Sequence, residues 1–470
     1  MNDAVVLAHG LGGRSDLPVP LWTAVYGAVA ALLFSFAALS LFWHAAKFED
    51  DGGKPLPAGI QSLLNSKALA LAGRALGLVM FLVIMSTAWL GSPDVRANPT
   101  PAWFYVWLWC GLVPLSLLFG PVIAAMNPLR TIAGLIGRGE GEPIPASWGM
   151  YPAALSILSF VWLELVMLDP AAPRTVAAYL TIYSVIHIAL GARYGQKWFA
   201  QGEGFEVYST LIGRLSPLGR SEDGTWVLRN PLRGLATTPT VNGLVAVVCV
   251  LLGSTAFDGI TRTPFWKSWA RDFEGGAYLA SGTAGLLGAI LVVYAIYMIA
   301  MRMTKPWVPD RPALAEDFVH SLVPIAVGYT VAHYFSFVVF DGQLGLIRGS
   351  DPYAKGWDLL GTADNSINYT IVSTAVIAIV QVAAIALGHI TGVFVAHDRA
   401  VALFPKRFHQ LAQYPLLAAM VSFTMAGIAL VVGSKDAFWL LVTVAVFIPT
   451  AALFVWILAP VEDPLEETVG

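Results

Sequence analysis

The sequence predicts an all-α polytopic transmembrane helix bundle, and three observations carry that expectation. Hydrophobic residues make up 57% of the chain and charged residues only 12%, against roughly a quarter charged in an ordinary soluble domain. About 20 mostly apolar residues suffice to cross a bilayer, and about eleven stretches of the chain qualify. Lys and Arg concentrate in alternate connections, as expected when one set of loops is cytoplasmic. A net charge of −3 supplies no basic surface for nucleic acid. Cys110 and Cys249 both sit inside apolar runs, so neither a disulfide framework nor a cysteine zinc site is indicated.

An outer N-terminal segment, 1–19, leads into the first span at 20–43. Its opening residues MNDAVVLA lack a basic n-region and a long enough h-region for a signal peptide, so the first span itself is expected to direct insertion. Spans follow near 68–91, 102–125, 150–168 and 174–192. After a long inner connection, 193–239, come spans near 240–258, 277–301, 317–340, 369–396, 414–433 and 437–459, and then a cytoplasmic tail, 461–470. Residues 20–460 thus read as a single transmembrane domain. Eighteen Lys and Arg residues fall on one side of this arrangement and nine on the other, which orients the chain N-outside and C-inside in the plasma membrane. Within the inner connection, FEVYSTLIGRLSPLG mixes aromatic, aliphatic and basic residues and is expected to lie flat at the interface as an anchor. Trp103, Trp107, Trp109, Trp148, Trp198, Trp226, Trp266, Trp269 and Trp307 fall near span ends, where indole rings prefer the headgroup level.

Two sets of four spans share features. Ser86-Thr87-Ala88-Trp89 closes the second span and Ser254-Thr255-Ala256-Phe257 the sixth, each followed by Thr-Pro-x-Trp. Pro152 precedes Asp169, and Pro324 precedes Asp341, by the same interval; His187 and His389 follow in corresponding inner halves. These matches suggest parallel repeats over 68–192 and 240–396.

Ionisable groups inside a membrane are expensive and default to functional candidates. An outer layer holds Glu164, Asp258, His333 and Asp341. Asp258 and Asp341 stand in identical Phe-Asp-Gly triplets at outward helix C-termini, where the helix dipole disfavours a carboxylate. A metal ion, an arginine such as Arg14, Arg262 or Arg271, or a proton would compensate; on a purely structural reading Gly259 and Gly342 are helix C-caps. His333 and Asp341 are eight residues apart on one helix, about 12 Å along its axis, so other residues must complete any shared ion site. The N-terminal segment, with His9, Arg14 and Asp16 among glycines, is the natural contributor. An inner layer holds His187, Glu316, His320, Gln381, His389 and His397. Glu316 and His320 stand i, i+4 on one helix face, a spacing suited to joint metal coordination or proton relay. His44, Asp398 and His409 are expected at the solvated inner boundary. His-Glu-x-x-His, the P-loop and the Gly-x-Ser-x-Gly elbow are all absent.

HGLGGRSDLPVPLW at the N-terminus, LGSTAFDG in the sixth span and GHITGVFVAHD in the ninth together resemble a family of multi-pass, mostly actinobacterial membrane proteins named fenitrothion hydrolase-like. The resemblance implies hydrolysis of an organophosphate ester and a second membrane subunit as partner beside the lipid bilayer. It makes His9, Asp16, Asp258, His333 and Asp341 candidate ligands of a divalent metal ion, with a metal-bound water as nucleophile. Were a longer precursor cut after Ala8, the amine and imidazole of His9 would chelate copper. The functional expectation is therefore a metal-dependent phosphoester hydrolase with an outer-face His/Asp site. The alternatives are a transporter of a metal ion or proton-coupled solute, and a non-catalytic subunit of a membrane complex.

Overall fold

A computed structural model describes residues 21–432 apart from 49, 51, 138–140 and 309. The expected eleventh span at 437–459, the tail, and the N-terminal segment with His9, Arg14 and Asp16 lie outside the described residues. The chain is an all-α polytopic membrane bundle. Among the described residues, nine helices are long and apolar enough to cross a membrane, and a shorter apolar helix, Tyr151–Leu165, accounts for the fourth expected span. The principal helices are α1 (Leu21–Phe42), α2 (Lys67–Leu90), α3 (Ala102–Phe119), α4 (Pro128–Ile136), α5 (Tyr151–Leu165), α6 (Pro173–Tyr194), α7 (Lys197–Gly202) and α8 (Gly204–Gly213). They continue with α9 (Leu244–Thr261), α10 (Gly275–Thr304), α11 (Val323–Phe340), α12 (Gly342–Gly349), α13 (Thr374–Leu403) and α14 (Tyr414–Val432).

Burial ranks these spans. In α9 78% of the apolar window is buried among the described residues, as it is in the span Leu314–Gly349 that contains α11, whereas in α2 it is 6%. Polar residues on α9 therefore have only protein to satisfy them. α9 packs against α5, α10 and α11; Gly253 lets α10 approach, since a Cβ there would lie 2.5 Å from Ile290 Cα. Among the described residues, α11 and α13 pack over the most extensive seam. A Cβ on Gly328 would stand 2.4 Å from the Ala384 carbonyl oxygen, one on Gly388 2.6 Å from that of Pro324, and one on Gly392 2.6 Å from that of Ser321. Backbone meets backbone along this seam, the role small residues take in membrane helix packing. α5 and α6, by contrast, are joined through α7, which packs on both.

Several expectations change. The third span ends at Phe119 rather than 125, because Gly120 adopts φ +82° and Pro121 follows it. Its first half, Ala102–Cys110, is π-helical, with Gly111 N bonded to Val106 O at 3.0 Å, one residue beyond the α-helical partner. The eighth span is broken as well: the α-helical turn Leu314–Phe318 tightens into a 3-10 turn, Val319–Leu322, before α11 begins. The segment expected to lie flat at the interface does not. α8 is buried on nearly all sides against α3 and α5, because its polar groups are satisfied within the bundle. The inner connection also carries the antiparallel strands β2 (Leu218–Arg220) and β3 (Trp226–Arg229), which pair with β1 (Gly53–Pro55) in the order β1-β3-β2. Trp109, Trp198 and Trp307 are buried within the protein.

Asp398, expected to be solvated, is buried. It accepts hydrogen bonds from Trp43 Nε1 (2.9 Å), Lys47 N (2.7 Å) and Phe48 N (3.1 Å), tying the chain beyond α1 to α13. Asp398→Ala removes the acceptor of three donors and is expected to cost about 1–3 kcal/mol. Limited proteolysis of inside-out vesicles should then cut the 43–54 connection faster than in wild type; an unchanged rate would refute this anchoring.

Candidate functional site

The outer polar layer assembles around α9 and α11. Asp258 and His333, both buried, meet through Asp258 Oδ2 and His333 Nε2. Arg262, one turn beyond Asp258, places Nη2 at 3.3 Å from Asp258 Oδ2 and 2.9 Å from His333 Nε2. The ring of Tyr329 stacks on His333 with centroids 6.0 Å apart, and Tyr334 sets its ring edge-on at 4.8 Å. Tyr334 Oη donates to Glu164 Oε1 at 3.0 Å, which joins α5 to the cluster. The guanidinium compensates the carboxylate at the unfavourable helix end, one of the resolutions the sequence left open. A cation added between Asp258 and His333 would be repelled by Arg262.

Of the proposed outer ligands, then, Asp258 and His333 come together. Asp341 does not join them: it caps α11, and its charged neighbour is Arg348 of α12. Among the described residues no three His, Cys, Asp or Glu side chains converge on one point. The structural reading of the glycines is also corrected. α9 runs on to Thr261, and Gly259 instead admits Leu430 and Tyr329, since a Cβ there would lie 2.7 Å from Leu430 Cβ and 3.0 Å from Tyr329 Oη. Gly342 opens α12 rather than ending a helix.

The inner layer divides differently from the expectation. Gln381 belongs at the height of His333: α13 starts only at Thr374, and the antiparallel register fixed by Gly328 against Gly388 carries Gln381 outward. Glu316 and His320 do not share an α-helical face, because the turn containing His320 is 3-10. His397 is engaged at both nitrogens, with Gln413 Oε1 at 2.9 Å and the Trp43 carbonyl at 3.1 Å, and so ties α13 to the ends of α1 and α14.

His187 enters a network that the sequence reading missed. Trp198 Nε1 donates to His187 Nδ1 at 3.1 Å, and His187 Nε2 lies 3.2 Å from Ser156 Oγ. Ser156 Oγ lies 2.9 Å from Tyr183 Oη, and Tyr183 donates to Glu203 Oε1. Glu203 caps α8, accepting from Phe205 N at 3.0 Å and Glu206 N at 2.9 Å. Asn127 caps α4 with its oxygen and offers Nδ2 to both Glu203 and Glu206 at 3.1 Å. Arg130 then clasps Glu206 through Nε (3.0 Å) and Nη2. The Asn-Pro pair opening α4 and the Glu-x-x-Glu spacing were the available signals.

His389 stands apart in its hydrogen bonding. Its Nδ1 lies 2.8 Å from the Ile385 carbonyl, to which it donates, so Nε2 carries the lone pair. That Nε2 is buried and has no hydrogen-bond partner, and the same holds for Nε2 of His320. A ring held by a backbone carbonyl at one nitrogen and bare at the other is the arrangement of a metal-ligating histidine.

No family profile matches the chain, and no solved structure matches it. Among curated proteins the chain is similar to the protein-methionine-sulfoxide reductase heme-binding subunit MsrQ of Caulobacter vibrioides. The two are 28% identical over 184 residues, covering 36% of this chain and 81% of that protein.

Proposed function

We propose that the chain is a multi-pass membrane subunit of a redox enzyme complex that binds haem through His389. The observation that carries this reading is the buried, unpartnered Nε2 of His389 with its tautomer fixed by Ile385; the similarity to a heme-binding subunit supports it. An iron porphyrin needs only one or two protein ligands, and His320 is the other described histidine with an unpartnered Nε2. Bound there, haem would supply one-electron transfer within the membrane. The chain's own contribution is to hold the His389 ring, keep its Nε2 deprotonated and exclude water. The α11–α13 seam is closed by its glycines, and His389 follows Ile385 by one turn on the stripe of α13 that packs with α1 and α14.

The hydrolase reading implied by the fenitrothion hydrolase-like resemblance draws support from the meeting of Asp258 and His333. It lacks a third ligand among the described residues and places a guanidinium where a metal would sit. The test is the optical spectrum of the full chain purified from cells supplied with a haem precursor. A Soret band is expected in wild type, lost in His389→Ala and retained in His333→Ala. Haem binding indifferent to His389→Ala would overturn the assignment.

A further inference from the structure

We infer that the buried network from His187 to Glu206 is a proton relay capped by Trp198 at its His187 end, with Glu203 as its proton-accepting end. Elimination fixes the direction of every bond. Tryptophan can only donate, so Nδ1 of His187 is an acceptor and the neutral ring carries its proton on Nε2. Nε2–H therefore donates to Ser156 Oγ, which also accepts from Gly204 N at 2.9 Å. With both its acceptor positions filled, Ser156 must donate to Tyr183, and Tyr183 donates to Glu203. The chain of donors thus runs without a gap from an imidazole on α6 to a carboxylate at the cap of α8.

The charges favour a proton acceptor over a passive brace. Two buried carboxylates, Glu203 and Glu206, face one guanidinium, Arg130, which pairs with Glu206. The other titratable groups around Glu203 are Tyr179, Tyr183 and His187 on α6. In the transfer step a hydronium ion from water, admitted as Trp198 moves aside, gives its proton to His187 Nδ1, and the Nε2–H bond breaks. Ser156 gains that proton and passes its own to Tyr183, whose proton goes to Glu203 Oε1. One proton enters, one is bound by Glu203, and the imidazole ends as the Nδ1–H tautomer. Trp198 cannot hand on a proton, so it caps the relay in the observed geometry. This inference does not depend on haem.

The test is time-resolved infrared spectroscopy of the full chain in nanodiscs after a light-triggered proton release. A carboxylic C=O band that Glu203→Gln abolishes should rise together with a His187 ring band, both slowed in D2O. Tyr183→Phe, which keeps the ring but cuts the chain, should leave the ring band and the carboxylic band uncoupled. Ser156→Ala should do the same at the next bond, and Trp198→Phe should enlarge the His187 response. Coupled bands that survive both cuts, or a Glu203 that takes up no proton while the fold persists, would overturn the relay.

Discussion

Arg262→Ala is expected to destabilise the folded chain by about 3–5 kcal/mol, because it removes a guanidinium that faces the buried Asp258 carboxylate. Asp258 is 1% exposed, on a span whose apolar window is 78% buried, so its carboxylate depends on partners within the protein. The loss should appear as a lower unfolding midpoint in detergent. Asp258→Asn in the same chain should restore much of it, since the double variant no longer buries that carboxylate. If Arg262→Ala melted like wild type, the guanidinium would not be the counter-ion of this cluster. A melting point raised by added zinc or manganese in that variant would revive the metal site.

Gly388→Val should be nearly as costly. A side chain there meets the Pro324 carbonyl oxygen 2.6 Å from its Cβ, and a backbone atom cannot rotate away. Overpacking of this kind costs about 1–3 kcal/mol and occasionally more, and the rigid seam makes the upper end the expectation. Because Gly388 adjoins His389, the variant should also weaken haem retention. Gly276→Val, where a Cβ meets nothing within 4 Å, is the control and should melt like wild type. Equal melting of the two variants would contradict the close packing of α11 on α13.

The bundle was legible because apolar length is a strong one-dimensional signal, and α2, α6 and α10 lie close to where it placed them. What hydropathy could not convey was compensation at a distance. Asn127 lies 76 and 79 positions from Glu203 and Glu206, so α8 read as a polar-punctuated surface helix although its carboxylates are satisfied inside the bundle. Asp398 was misplaced for the same reason, its three donors lying some 350 positions away. Gln381 was misassigned through an error in helix start, since the outer connection runs to Ser373 before α13 begins. Asp258 was read as a carboxylate needing compensation with Arg262 among the partners considered, and Arg262 stands beside both it and His333. The bare nitrogen of His389 was beyond reach, because spacing reveals that a histidine is intramembrane and only packing reveals which of its nitrogens is free.

The most direct test is the metal content of the purified full chain measured together with its optical spectrum, in wild type, His333→Ala and His389→Ala. A haem-bearing subunit should carry iron in proportion to its Soret band, and His389→Ala alone should lose both. Stoichiometric zinc or manganese with no Soret band, lost in His333→Ala and kept in His389→Ala, would contradict it and favour the hydrolase.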